Sequence, residues 1–356
     1  GPRPPRRCRA PMTTSVPSRL EARRHTRASP SAPLHRIVIV GGGAGGLELA
    51  TRLGDTLGKR KKALVTLVDK SRTHLWKPLL HQVAAGSMDL NDHELDYLYQ
   101  ARWHHFRFHL GRMDGLDRDR KEIHLAPTLD EAGTEVIPAR TVVYDTLILS
   151  IGSTTNDFGT PGAAAHAISL DNPQQAALFH SRLINACLRA NAQSTPLEPR
   201  QLDIAIIGAG ATGVELAAEL HNTLREFVAF GLDRIDPERD IRLTLIEAAP
   251  KILPALPERL SNEVLRLLAK LKVDVLTNER VTEVSKTGVK TATGRQIPAE
   301  LLVWAAGIKA PNFLEDIAGL ETNRINQLVV TPTLQTTRDP NIFAFGDCAS
   351  CAWPEK

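Results

Sequence analysis

One pattern occurs twice in this chain, and few folds accommodate it. Ile37-Val38-Ile39-Val40 is a short apolar, β-branched run that reads as a buried parallel strand. Gly41-Gly42-Gly43-Ala44-Gly45-Gly46 follows it. A helical pattern of Leu47, Ala50, Leu53 and Leu57 comes next, then a second buried run over 63–68 that ends at Asp69. Far downstream, Ile204-Ala205-Ile206-Ile207 runs into Gly208-Ala209-Gly210-Ala211-Thr212-Gly213. A helix with Val214, Leu216, Ala217 and Leu220 on its apolar side leads to Leu243-Thr244-Leu245-Ile246 and Glu247. Each copy is a β-α-β unit, so the fold class is α/β with two Rossmann-like dinucleotide-binding domains.

The glycines have separate duties. Gly41 and Gly208 allow the tight turn after the strand. Gly43 and Gly210 let backbone approach a pyrophosphate, and Gly46 and Gly213 let helix pack closely on strand. Ala44, Gly45 and Thr212 complete the two loops at the helix N-termini, where unpaired N–H groups and the dipole attract phosphate. Asp69, with Lys70 beside it, and Glu247 end the second strands, placed to accept hydrogen bonds from a ribose. Gly208 and Glu247 are further apart than the usual 20 or so residues, and the excess at 224–242 reads as a longer helix and a loop. A carboxylate at Glu247 repels the 2′-phosphate of NADP, which predicts NADH over NADPH. Two such sites on one chain predict a nicotinamide and a flavin reacting face to face.

Two further segments resemble each other. Asp145-Thr146-Leu147-Ile148-Leu149-Ser150-Ile151-Gly152 and Leu301-Leu302-Val303-Trp304-Ala305-Ala306-Gly307 are each a strand ending on small residues after one unit. The piece beyond Gly307 is too short for a third domain, so it returns to the first. The expected division is a flavin domain over 36–163 and 298–356, with a nicotinamide domain over 164–297. Residues 155–162 and 194–200 read as crossings or loops. A helix from Pro257 carries Leu260, Val264, Leu267, Leu268 and Leu271 at helical spacing.

Charge narrows the partners. The 356 residues sum to +4, but 1–36 hold nine Arg and one acid, so the remainder is net acidic by 4. The folded part gives no reason to expect nucleic-acid binding. Residues 1–35 read as a disordered basic tail: a reading-frame extension ahead of Met12 is the favoured reading, an organellar transit peptide the alternative. No apolar run is long enough to span a bilayer, and four Cys make no disulfide framework, so a reducing compartment is expected.

At the level of motifs the chain resembles the bacterial type II NADH:quinone dehydrogenases, members of the two-dinucleotide-domain, disulfide-reductase-like flavoproteins. The resemblance is carried by the first fingerprint with Asp69, by His74-Leu75-Trp76-Lys77-Pro78-Leu79-Leu80-His81 and by Gly208 through Leu216. Trp304-Ala305-Ala306-Gly307-Ile308-Lys309-Ala310-Pro311 and Phe345-Gly346-Asp347-Cys348-Ala349 extend it from about Arg36 to the C-terminus. It implies FAD in the first unit, NADH in the second, and hydride passing from NADH to FAD. Two electrons then go to a membrane quinone without proton pumping, at the cytoplasmic face of a bacterial inner membrane. It implies that Asp347, after Gly346, contacts the FAD ribityl–phosphate region and that Glu215 lies near the nicotinamide–flavin stack as the catalytic candidate. Lys77 falls beside the flavin ring, and Ala306 and Gly307 let the rings approach. The ordinary readings stay open: a solvated loop lysine, and for Glu215 a first-turn helix acid.

Family members continue well past Cys351, adding a quinone-site helix and amphipathic membrane-binding helices. The expectation is therefore that this chain is a fragment or has lost quinone activity. A soluble NADH diaphorase and a redox-sensing binding protein of the apoptosis-inducing-factor type are the alternatives, and a homodimer is open. Cys348-x-x-Cys351 lacks the second Cys/His pair of a zinc site, Cys187 reads as a core residue, and His104, His105 and His109 read as surface or strand histidines. No metal is expected.

Overall fold

The computed structural model describes residues 33–74, 77–89 and 95–352. Residues 1–32 of the tail expected over 1–35, and Leu75 and Trp76 of the motif, lie outside the described residues, and His35, expected in the tail, opens the first strand instead. Two parallel-cored sheets organise the rest. The larger has eight strands; at its centre His35–Val40 lies between Ala63–Asp69 and Thr146–Leu149, both parallel to it. The smaller has five, with Ile204–Ile207 between Leu243–Ile246 and Leu301–Trp304, again parallel. The central strands are buried on both faces, as their unbroken apolar runs require.

The resemblance between the two strands ending on small residues thus has a structural meaning: each is the third strand of its unit. This corrects the boundary expected at 298. Leu301–Trp304 hydrogen-bonds Ile204–Ile207 and belongs to the second sheet. The chain crosses back later, at a two-strand ribbon in which Ile308 and Lys309 pair antiparallel with Thr155 and Thr154. After it, Asp339–Ala344 docks parallel on Thr146–Leu149 and extends the first sheet.

The helix expected from Pro257 spans Glu258–Lys270, with Pro257 as its N-cap. Its register differs from expectation. Ser261 and Leu268 face the core, while Leu260 and Leu267 are exposed. The two helices that follow the fingerprints differ in length: Ala44–Leu53 has 10 residues and Ala211–Ala229 has 19. That difference, with the turn at Pro237–Asp240, accounts for the long spacing to Glu247. No described helix is long and apolar enough to cross a membrane.

Candidate functional site: two dinucleotide cradles

The two glycine loops are built alike, bond for bond. Gly41 N–H donates to Val68 O at 2.9 Å, and Gly208 N–H to Ile246 O at 2.7 Å. These bonds pin each turn to the end of the second strand. Both turn glycines have positive φ, 102° at Gly41 and 103° at Gly208, a region open to glycine at no steric cost. A Cβ on Gly46 would overlap the Gly41 carbonyl oxygen, and one on Gly213 the Gly208 carbonyl oxygen. Close helix–strand packing is therefore what these last glycines supply.

The ends of the helices are left for a ligand. Gly43 and Gly210 are the N-caps, and neither helix has a side-chain cap. A Cβ at either position would meet nothing within 4 Å. The first-turn N–H groups, those of Ala44 and Thr212 among them, have no acceptor within their own helix and carry the positive end of its dipole. That is the chemistry a pyrophosphate needs, so the residues present fit a dinucleotide in both places.

The two acids occupy equivalent positions and do more than await a ribose. Asp69 Oδ2 accepts from Gly42 N–H at 2.6 Å and Oδ1 from Ser71 N–H at 2.8 Å. Glu247 Oε2 accepts from Ala209 N–H and Oε1 from Ala249 N–H, both at 2.8 Å. Each carboxylate therefore holds its own loop in shape and keeps lone pairs for a hydroxyl.

Three side chains clamp the first loop. Besides Asp69 on its N–H, Gly42 presents its carbonyl oxygen to the Tyr97 hydroxyl at 2.6 Å and to His74 Nδ1 at 2.9 Å. A carbonyl only accepts, so His74 carries its proton on Nδ1. Burial first, and then Asp69, push the Tyr97 phenol well above its ordinary pKa, which keeps it a neutral donor. His74 lay within the motif singled out in the sequence. Tyr97 carried no local signal, because its partner is 55 residues away.

An open cleft of about 1230 Å³ runs from Gly43, Asp69 and Lys70 past Lys77 to Asp171 and His180. Lys77 is tethered there while 41% of its side chain stays exposed. Its Nζ donates to Ser153 O at 2.8 Å and lies 3.6 Å from Asp171 Oδ1. Ser153 Oγ in turn donates to Asp347 Oδ2 at 2.7 Å. Lys77, Ser153 and Asp347 thus form one network at the mouth of the first sheet. Gly152 and Gly346 flank it with open space where a Cβ would stand.

Glu215 reaches across to the segment that carries Lys77, with Oε2 3.5 Å from His81 Nδ1. It is the fifth residue of its helix, and no acid stands in the first turn. The first-turn reading is therefore corrected, since the dipole's pull falls off beyond that turn. Gly307 has a ring of the protein itself beside it. The space its missing side chain leaves is filled by the Phe158 ring, while Trp304 Nε1 donates to Asn156 O at 3.0 Å and Ala306 O at 2.9 Å.

Cys348 is buried, and burial pushes its thiol pKa up to about 12, so it holds its proton and is no nucleophile. Cys187, also buried, is raised to about 11 by the same cause. His104 pairs with Asp55 at 2.9 Å and His109 lies in the strand Arg107–Leu110. Among the described residues no cluster of three metal-ligating side chains occurs.

Two matched cradles on tandem parallel sheets define a two-dinucleotide α/β protein. The pyridine nucleotide-disulphide oxidoreductase model matches residues 35–355. The chain is 43% identical over 329 residues to the type II NADH:quinone oxidoreductase of Haemophilus influenzae, covering 89% of this chain and 74% of that protein. It is 32% identical to the type II NADH:quinone oxidoreductase NdhA of Mycobacterium tuberculosis, covering 88% of this chain and 66% of that one. Among solved structures, NDH2 from Plasmodium falciparum in complex with NADH superposes with a TM-score of 0.76. That match, at 22% identity, covers 90% of this chain and 65% of that one, and it is a likeness of fold. The chain thus spans about two thirds to three quarters of these proteins. It belongs to the pyridine nucleotide-disulphide oxidoreductases and, within them, to the type II NADH:quinone oxidoreductase family.

Proposed function

We propose that the chain binds FAD in the first cradle and NADH in the second, and acts as a non-proton-pumping NADH:quinone oxidoreductase held peripherally at the cytoplasmic face of a bacterial membrane. The observation that carries this reading is the duplicated cradle, with its two capless helices and two loop-holding acids; the relatives' names support the acceptor. The FAD domain is read as 34–155 with 308–352, and the NADH domain as the chain between. When bound, FAD supplies the carrier that takes a hydride and passes electrons on singly or in pairs.

The protein's share is binding and orientation. Gly43, Ala44, Gly45 and Gly46 would hold the FAD pyrophosphate, with Asp69 and Lys70 toward the ribose. Lys77, Gly152, Gly346 and Asp347 would border the ribityl and ring. Gly210, Thr212 and Gly213 would hold the NADH pyrophosphate and Glu247 its ribose. Glu215, Ala306 and Gly307 are assigned to the meeting of the rings. Hydride transfer needs ring contact at about 3–3.5 Å and correct orientation, so no general base is invoked for it.

Anaerobic stopped-flow mixing with NADH and with NADPH tests the reading. Rapid bleaching of bound flavin by NADH, followed by return of colour on adding a short-chain quinone, is expected. Bleaching without return would make the chain a reductase of small acceptors, and a protein that takes up no flavin would overturn the site.

The loop clamp gives a second expectation. Tyr97→Phe removes one of two donors to Gly42 O. A hydrogen bond is worth about 1 kcal/mol net, so the FAD dissociation constant should rise roughly fivefold. Flavin fluorescence on titration into apoprotein reads it. Unchanged affinity would mean that His74 alone holds the loop.

A further inference from the structure

The second sheet has an end that its cradle does not use. Ile204–Ile207 and Leu243–Ile246 lead up to Gly208 and Glu247, and at their other ends stand Asp203 and Arg242. The backbone ladder continues there, since Ile204 N–H donates to Arg242 O and Glu300 N–H to Asp203 O. Ala205 is registered with Thr244, and Thr244 with Asp274. Side chains two apart share a face of a strand, so Asp203, Arg242, Thr244 and Asp274 stand on one face. The antiparallel sheet of Val281–Ser285, Gly288–Thr291 and Gln296–Pro298 covers that face, with Ala205 and Ile297 in one apolar cluster. At this end the two sheets leave between them a cavity of about 340 Å³, which Arg200 and Arg295 also line.

The walls carry buried polar groups that nothing engages. Asp203 is 6% exposed and Thr244 is 7% exposed. Among the described residues, none hydrogen-bonds the Asp203 carboxyl or the Thr244 hydroxyl. Burial pushes the Asp203 pKa above the ordinary carboxylate value, against the pull of Arg242 and Arg200. Buried polar side chains in folded proteins are normally paired, so this couple is an exception that asks for a partner. The cations around it are loosely held. Arg242 lies 3.4 Å from Asp274 and Arg295 lies 3.9 Å from Glu279, while Arg200 is exposed and has no ion-pair partner among the described residues.

We propose that this cavity binds a small phosphate monoester that carries hydroxyl groups, the chemistry of the sugar phosphates. Guanidinium forks match phosphate oxygens two at a time, and three of them converge here. The carboxyl of Asp203 and the hydroxyl of Thr244 then take hydroxyl groups of the same molecule, one as acceptor and one as donor or acceptor. An amine is disfavoured by the three arginines, and a bare anion would leave Asp203 and Thr244 unmet. The volume lies at the small end of the range for small-molecule sites, which suits a ligand of this size. The site is a strand's length from the second cradle, about 13 Å for four residues. No cradle residue takes part in it, so the inference stands apart from the redox reading.

The experiment is calorimetric titration of the full chain with glucose 6-phosphate, with NAD⁺ present to keep the second cradle filled. Glucose and inorganic phosphate are titrated in parallel. One site is expected, with a dissociation constant at least tenfold below that of either half alone. Arg200→Glu, on an exposed side chain, should weaken binding at least tenfold, and Thr244→Val, which keeps the shape and removes the hydroxyl, about fivefold. Bleaching of bound flavin by NADH should be unchanged in both variants, which separates loss of this ligand from damage to the fold. Inorganic phosphate binding as tightly as the ester would overturn the inference, since it would make the cavity a plain anion site. So would an ester that gives no more heat than glucose, or variants that bind it like the parent.

Discussion

Gly46→Ala should leave the protein colourless, and Gly213→Ala should leave it yellow but nearly unreactive toward NADH. Both substitutions commit the same steric offence, a methyl group driven into the carbonyl oxygen of the turn glycine five residues earlier. Neither clash can be relieved by a rotamer, because the obstacle is backbone that is itself tied to the neighbouring strand through the Gly41 and Gly208 N–H groups. Overpacking of this kind costs about 1–3 kcal/mol or more. The helix must back away from the strand, which moves the N–H groups that would hold the pyrophosphate. A misplacement of about 1 Å can slow chemistry a hundredfold. The pair separates the two cradles because each clash is local to one sheet. Absorbance of the purified protein reads the first and stopped-flow bleaching the second. If Gly213→Ala lost its flavin while Gly46→Ala kept it, the assignment of cofactors to units would be reversed.

What the sequence revealed and what it hid follow from the range of the interactions. The cradles were legible because every part of each lies on one short stretch: strand, glycines, helix start and terminal acid. Their bonds, Gly42 to Asp69 and Ala209 to Glu247, span only 27 and 38 residues. The clamp on Lys77 and Asp347 was not legible as a unit, because Ser153 joins them across 76 and 194 residues. The domain boundary failed for a related reason. Leu301–Trp304 is an apolar run that would suit either sheet, and only its pairing with Ile204–Ile207 decides. The exposure of Leu260 and Leu267 on the helix Glu258–Lys270 escaped because periodicity reports that a face is apolar and not which way it turns.

Replacing Glu247 should erode the preference for NADH over NADPH, and the structure decides how the test must be made. A carboxylate about 4 Å from a ribose 2′-phosphate costs roughly 1 kcal/mol in water and about 4 at an effective dielectric of 20. The preference it maintains is thus between roughly fivefold and a thousandfold. Glu247→Ala removes that charge, but it also strips the acceptors from the Ala209 and Ala249 N–H groups. Those donors hold the second loop, so binding of both nucleotides should weaken, by about 1–3 kcal/mol for each donor left unsatisfied. The ratio of the two specificity constants is therefore the informative quantity, since loop damage falls on both nucleotides alike and cancels. Glu247→Gln sharpens the measurement. Its amide oxygen retains one acceptor, so it should narrow the ratio as Glu247→Ala does while preserving more of the affinity for NADH. A ratio unmoved in both variants would confine Glu247 to shaping the loop and leave the nucleotide preference to other residues of the second cradle.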